Sequence, residues 1–333
     1  MRVSLHHHLV TNRLILSLFG TLLLLTLILF SNRARLGVSC VDNMDRAYTH
    51  LSVAMAARGE AFEGAFSHAG FRHPGPGLFY YLAGFSGAID RWSSREDSFH
   101  LAVALLNSAF IGISIFLLTG LTTRWGYALL LAPISFAIIS PRTLFDYWNP
   151  SPVPAATIAY ILSLTYLAHG RSWILPLVTA LGSFIAQCHL GSVPFALFTF
   201  LYSGSAFFYR RHFELSRHCS LTRPILFSLF IGIIFWLGPI VDIVSYGRDS
   251  NLVRVSRSFL EHHETPHLAS TFLVVWKIAA KKLSFTAPLP SLARYFLPAL
   301  LWIALLVLSR GMALFQLRNL IAIGWITSVW SLA

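Results

Sequence analysis

Leu14 to Phe30 is an uncharged apolar run, long enough as a helix to cross most of the hydrocarbon core of a bilayer. Similar runs recur at Leu101–Gly120, Tyr127–Ser140, Val153–Ala168, Trp173–Ala186, Val193–Phe208, Pro224–Val241, Tyr295–Ser309 and Leu320–Ala333. Inside hydrocarbon a backbone must satisfy its own N–H and C=O groups, so runs of this length are expected to be helices. Several fall short of the roughly 20 residues of a full crossing, and their ends are expected to reach into the flanking loops. The expected fold class is therefore an all-α integral membrane protein. It is a single transmembrane domain over residues 1–333, a polytopic bundle of about nine spans. Gly77–Ile89 is too short to cross, and with Met44–Arg58 it is expected to form interfacial helices in the first external loop. Ser270–Leu283 is expected to be interfacial or re-entrant. Ser31-Asn32-Arg33 follows the first run where a cleavage site would need small residues, so that helix is expected to be retained. The chain stops within an apolar run, and the expectation is a truncated C-terminus.

Charged residues make up only 11% of the chain against 56% hydrophobic, which excludes an ordinary soluble domain. The net charge of +12 does not point to nucleic acid, because the basic residues are scattered through loops between apolar runs. Anionic lipid headgroups are the better partner. Cys40, Cys188 and Cys219 are far apart and lack metal or redox spacing, and His6–His8 read as a solvated tail. No metal site is expected, no cofactor is assigned, and a divalent-metal requirement and the oligomeric state stay open.

Basic residues set orientation. With the N-terminus inside, residues 1–13, 121–125, 169–172, 209–223 and 310–319 carry ten of the 25 Lys and Arg. The longer external segments carry the rest at roughly half that density. Twelve of the 13 acidic residues then fall outside, Glu214 being the exception. The external face, with segments 31–100, 141–152 and 242–294, is the expected working face.

Asp45 begins the amphipathic stretch Met44–Arg58, where a helix dipole favours an ionised carboxylate. Such a group suits a general base, and equally a helix cap; Asp42 stands nearby as its alternative. That helix is expected to carry Met44, Tyr48, Leu51 and Met55 on one face. His73-Pro74-Gly75-Pro76-Gly77 forces a turn into a new helix. Its first N–H groups, with Arg72 and His73, form either a phosphate seat or a plain return to the membrane. Phe79-Tyr80-Tyr81 supplies an interfacial aromatic patch. Further candidates are Asp146-Tyr147-Trp148-Asn149-Pro150, then Gln187, His189 and Gly191, and a cationic set after Asp242 that includes Arg248 and Arg254, beside Asn251. That set suits a phosphate or an anionic membrane surface.

The order Asp45-Arg46-Ala47-Tyr48, His73-Pro74-Gly75-Pro76, Phe79-Tyr80-Tyr81-Leu82 resembles the first external loop of GT-C-type membrane glycosyltransferases. The nearer branch is the bacterial members similar to protein O-mannosyltransferases and lipid A aminoarabinose transferases. Trp148-Asn149-Pro150, Gln187-Cys188-His189-Leu190-Gly191 and Gly238-Pro239 through Asp242 to Asn251-Leu252 extend the resemblance across most of the chain. Two departures stand out: Arg46 replaces a second acid after Asp45, and the turn is His-Pro-Gly-Pro where the family has His-Pro-Pro-Leu. The resemblance implies a sugar taken from a polyprenyl-phosphate donor and passed to an envelope acceptor, outside the bacterial inner membrane. It implies an inverting displacement with Asp45 as base, Asp42 in reserve. Substrate-binding residues would be Arg72, His73, Tyr80, Trp148, Asn149, Gln187, His189, Arg248 and Asn251. The expected partners are that donor and membrane lipid. The rival functions are a transporter or flippase, and a non-catalytic subunit of envelope glycan assembly. The scarcity of charge inside the spans weighs against ion-coupled transport.

Overall fold

The computed structural model describes residues 2–38, 44–67, 70–89, 92–121, 128–213 and 221–261. Asp42, Cys40, Cys219, the side chains of His6–His8, and the expected elements at Ser270–Leu283, Tyr295–Ser309 and Leu320–Ala333 lie outside the described residues. The helices, in chain order, are α1 (Arg2–Asn32), α2 (Met44–Ala57), α3 (Gly77–Ile89), α4 (Arg95–Leu121), α5 (Leu131–Ile139) and α6 (Pro141–Phe145). They continue with α7 (Val153–Ala168), α8 (Leu175–Cys188), α9 (Ser192–Phe213), α10 (Thr222–Tyr246) and α11 (Asn251–Glu261). Among the described residues there is no strand, only an isolated antiparallel bridge between Phe66 and Arg72.

Among the described residues, four helical segments are long and apolar enough to cross a membrane: Val10–Arg35, Arg95–Leu121, Ser192–His212 and Thr222–Asp249. The chain is an all-α, multi-pass membrane protein. Val153–Ala168, Ser172–Cys188 and Gly77–Ile89 are apolar helices shorter than a full crossing. Within the run at Tyr127–Ser140, the nine-residue α5 starts after a turn at Leu130 and ends at Ser140, which has φ 79° and ψ 131°. That backbone region is disfavoured for residues with a Cβ.

Burial explains the arrangement. In α4, Phe99, Ala102, Val103, Ile111 and Ile115 are fully buried, and the helix packs against α1, α3 and α7. It is the central helix. By contrast, α10 exposes Phe227, Phe230, Ile234, Leu237 and Val244. In water such a surface would cost about 25 cal/mol per Å²; facing acyl chains it costs nothing of that kind. On α1, Leu14, Leu18 and Leu22 are exposed, while Leu24 and Ile28 are buried on the face toward α4.

Helix α2 buries its small residues most deeply and divides its apolar face between core and surface. Thr49, Ser52, Val53 and Ala56 are buried, whereas Met44 is 82% and Leu51 58% exposed. Small residues let α2 approach α3 closely; Tyr48 and Met55 pack half-buried against the core, and Met44 and Leu51 stay outside. Helix α3 covers Gly77–Ile89 as expected, with Leu78, Phe79 and Leu82 buried.

Candidate functional site

The first-loop turn is built around Gln187. The chain from Gly64 to His73 folds back on itself through Gly64 N–H to His73 O (2.9 Å) and His73 N–H to Ala65 O (2.8 Å). Pro74, Gly75 and Pro76 then run buried against the end of α8. Gln187 is fully buried. Its Oε1 accepts from Gly77 N–H at 3.0 Å and its Nε2 donates to Phe235 O at 2.5 Å, joining the N-terminus of α3 to α10. A Cβ at Gly75 would come within 2.5 Å of Gln187 Cδ, so glycine is required where the turn crosses this side chain. Leu190 N–H donates to His73 Nδ1 at 3.1 Å, which requires an unprotonated Nδ1 and therefore a neutral imidazole. Burial, and secondarily His189 stacked on it at 5.6 Å, lowers the His73 pKa to about 4. Burial lowers His189 as well.

The same turn is tied to α11. The Asn251 side chain accepts from Arg72 N–H (2.8 Å) and donates to Arg72 O (2.9 Å) and His73 O (3.4 Å). Its own N–H donates to Asp242 Oδ2 at 2.7 Å. Arg72 pairs with Glu63 at 2.5 Å, and Arg254 approaches the same carboxylate at 3.6 Å. Glu63, Arg72, Asp242 and Arg254, with Tyr48, Tyr246 and Asp249, line a recess of about 240 Å³ on one side of α2.

On the other side of α2 lies a second recess of about 290 Å³, lined by Asp45, Arg46, Thr49, Arg142, Asp146, Tyr147 and Trp148. Its floor is a paired network. Glu96 Oε1 accepts from Arg46 Nη1 (3.2 Å) and from the Tyr147 hydroxyl (3.3 Å). Arg46 Nη2 lies 4.0 Å from Asp146, and His50 Nε2 lies 3.3 Å from the Tyr147 oxygen. With the hydroxyl proton directed to Glu96, His50 is the donor to that oxygen. Burial first, then the Glu96 charge, raises the Tyr147 pKa, so the hydroxyl stays a donor. The segment bearing Arg142 and Asp146 is pinned at three carbonyls. Asn32 Nδ2 donates to Pro141 O (3.1 Å), Asn107 Nδ2 to Leu144 O (3.0 Å) and His100 Nδ1 to Phe145 O (2.9 Å).

Above this floor two charges are uncommitted. The Asp45 carboxylate and the Arg142 guanidinium are exposed, and neither has a side-chain hydrogen bond or ion pair among the described residues. Trp148 stands beside them, 54% exposed.

Asp45 and Trp148 thus share the second recess. Arg72, His73, Gln187, His189 and Asn251 gather around the turn, and the buried Asn149 donates to Cys188 O beneath it. Tyr80 and Arg248 are exposed and line neither recess. The sequence reading passed over Arg142, Glu96 and Glu63. For Arg142 a signal existed: it is the sole basic residue of segment 141–152. Among the described residues no group of three or more His, Cys, Asp or Glu is arranged to hold a metal. Comparison with family models, with curated proteins and with solved structures finds no match.

Proposed function

We propose that this protein is a membrane glycosyltransferase of GT-C-like, nine-span architecture, acting at the recess between α2 and the Arg142–Trp148 segment. The donor is a sugar on a polyprenyl phosphate, and the acceptor is an envelope hydroxyl on the external side of the bacterial inner membrane. The observation that carries the reading is an uncommitted carboxylate and an uncommitted guanidinium in one recess. Glycosyl transfer by inversion needs this pair: a base for the incoming hydroxyl and a cation for the phosphate that departs. Asp45 takes the acceptor proton as the oxygen attacks the anomeric carbon. The bond from that carbon to the phosphate oxygen breaks, and Arg142 receives the developing charge on the lipid phosphate. Trp148 offers an aromatic face to the sugar ring. The network of Glu96, Arg46 and Tyr147 keeps Arg46 off Asp45, leaving the carboxylate available. His73, Gln187, Asn149 and Asn251 act as positioning residues that fix the loop, and Tyr80 and Arg248 meet lipid headgroups.

The test is transfer from a panel of radiolabelled polyprenyl-phosphate sugars in right-side-out and inverted vesicles. The expected result is transfer on the external face that falls by about 10² to 10⁴ in Asp45→Asn. Unchanged transfer in that variant would refute the assignment of the base. Absence of transfer from every donor, with the protein correctly inserted, would refute the enzyme.

A further inference from the structure

The end of the bundle remote from α2 has the opposite electrical character. From Asn32, which touches Pro141, back to Arg13 is a rise of about 28 Å, close to the roughly 30 Å of a hydrocarbon core. At Arg13's level α4 ends at Leu121, α7 ends at Ala168 with His169 as its cap, and α9 carries Arg210 in its last turn. Four elements converge there. Every acidic residue with a described side chain lies at the opposite end, at 45, 60, 63, 96, 97, 146, 242 or 249.

Tyr166 is the centre of the cluster. Its hydroxyl donates to Leu117 O at 2.8 Å, and the Arg171 guanidinium lies 4.5 Å from its ring centroid. A Cβ at Gly120 would collide with the Tyr166 hydroxyl and sit 3.1 Å from Arg13 Nη1. Glycine therefore admits the phenol and the second guanidinium together. The Arg13 Nε is buried and has no hydrogen-bond partner among the described residues, so a charged donor there is unmet. Arg171 is exposed and forms no ion pair among the described residues. His169 is held below its ordinary pKa by burial, and Arg210 and Arg171 lower it further. An anion set among these groups would meet the unmet donor and relieve the crowding of like charge.

We propose that this cluster binds the phosphate of an anionic phospholipid headgroup, with Arg13 and Arg171 as its ligands and Arg210 at its edge. Two observations select a lipid. The cluster lies one hydrocarbon-core thickness along α1 from Asn32, and exposed Val10 and Leu14 on α1 and Phe208 and Tyr209 on α9 offer apolar surface for acyl chains. The site is independent of the transferase reading, because it occupies the other end of the bundle.

The test is native mass spectrometry of protein released from nanodiscs of equal phosphatidylglycerol and phosphatidylcholine. Wild type is expected to retain phosphatidylglycerol roughly tenfold over phosphatidylcholine. Arg171→Gln, a change at an exposed loop position, should cut that preference several-fold, and Arg13→Gln/Arg171→Gln should remove it. Arg33→Gln, an equal charge change at the opposite end, should leave it intact. Equal retention of the two lipids by wild type would overturn the proposal, as would an equal loss in Arg33→Gln. A second arm titrates sodium phosphate against the retained lipid. No displacement supports the lipid site; displacement at millimolar phosphate, with thermal stabilisation in neutral detergent, would make it a free-phosphate site and overturn the lipid assignment.

Discussion

The docked turn and the recess beside α2 draw on similar residue types, yet they spend them differently. At the turn, Gln187 uses both ends of its amide, Asn251 uses both ends of its own, and His73 Nδ1 receives a backbone N–H. At the recess, Glu96, Tyr147 and Arg46 are paired in the floor, while Asp45 and Arg142 above them are uncommitted. Satisfied polar groups fix a shape; uncommitted charges beside solvent are available to a substrate. A family-like motif therefore does not by itself mark chemistry, since His-Pro-Gly-Pro here is a joint and the uncommitted pair lies across α2.

That contrast can be broken by substitution. The largest effect on stability is expected at Gln187→Leu, which leaves Gly77 N–H and Phe235 C=O unmet at about 1–3 kcal/mol each. A thermal melt in detergent should show a clear drop, and an unchanged melt would remove the joint from the account. Asn251→Ala should cost about 1–3 kcal/mol, and limited proteolysis should then cut more readily within 61–73.

Acid sharpens the same distinction. Because the folded pKa of His73 is lowered to about 4, the unfolded chain binds the extra proton between that value and the ordinary 6.5. Stability therefore falls as pH drops through this window and is restored above it, by about 3 kcal/mol in all; His189 adds in the same direction. His73→Leu should flatten the slope of melting temperature against pH, and an equally steep slope would contradict the assignment. The smallest effect is expected at Trp148→Ala: donor KM rises a few-fold, as for loss of about 1 kcal/mol of ring contact, with no change in melting.

Much of this was legible in the chain. Apolar runs located α4, α9 and α10 because a span needs length and composition alone, and the proline and glycine pair marked where α3 begins. The inward face of α2 was not legible, because close packing on α3 selected Thr49, Ser52 and Ala56 over larger apolar residues. Nor was the partner of Gly77 N–H, since Gln187 is 110 residues away and nothing local to either position reports the pairing. The opposition of Asp45 and Arg142 is likewise tertiary: it exists because Asn32, Asn107 and His100 hold the Pro141–Phe145 carbonyls in place.

The most direct test measures sugar transfer and melting temperature on the same membrane preparations of wild type, Asp45→Asn and Asn251→Ala. The account predicts that Asp45→Asn loses transfer by about 10² or more with its melting temperature unchanged, whereas Asn251→Ala melts earlier and retains transfer below its melting point. Full transfer in Asp45→Asn, or a loss of transfer explained by its unfolding, would contradict it.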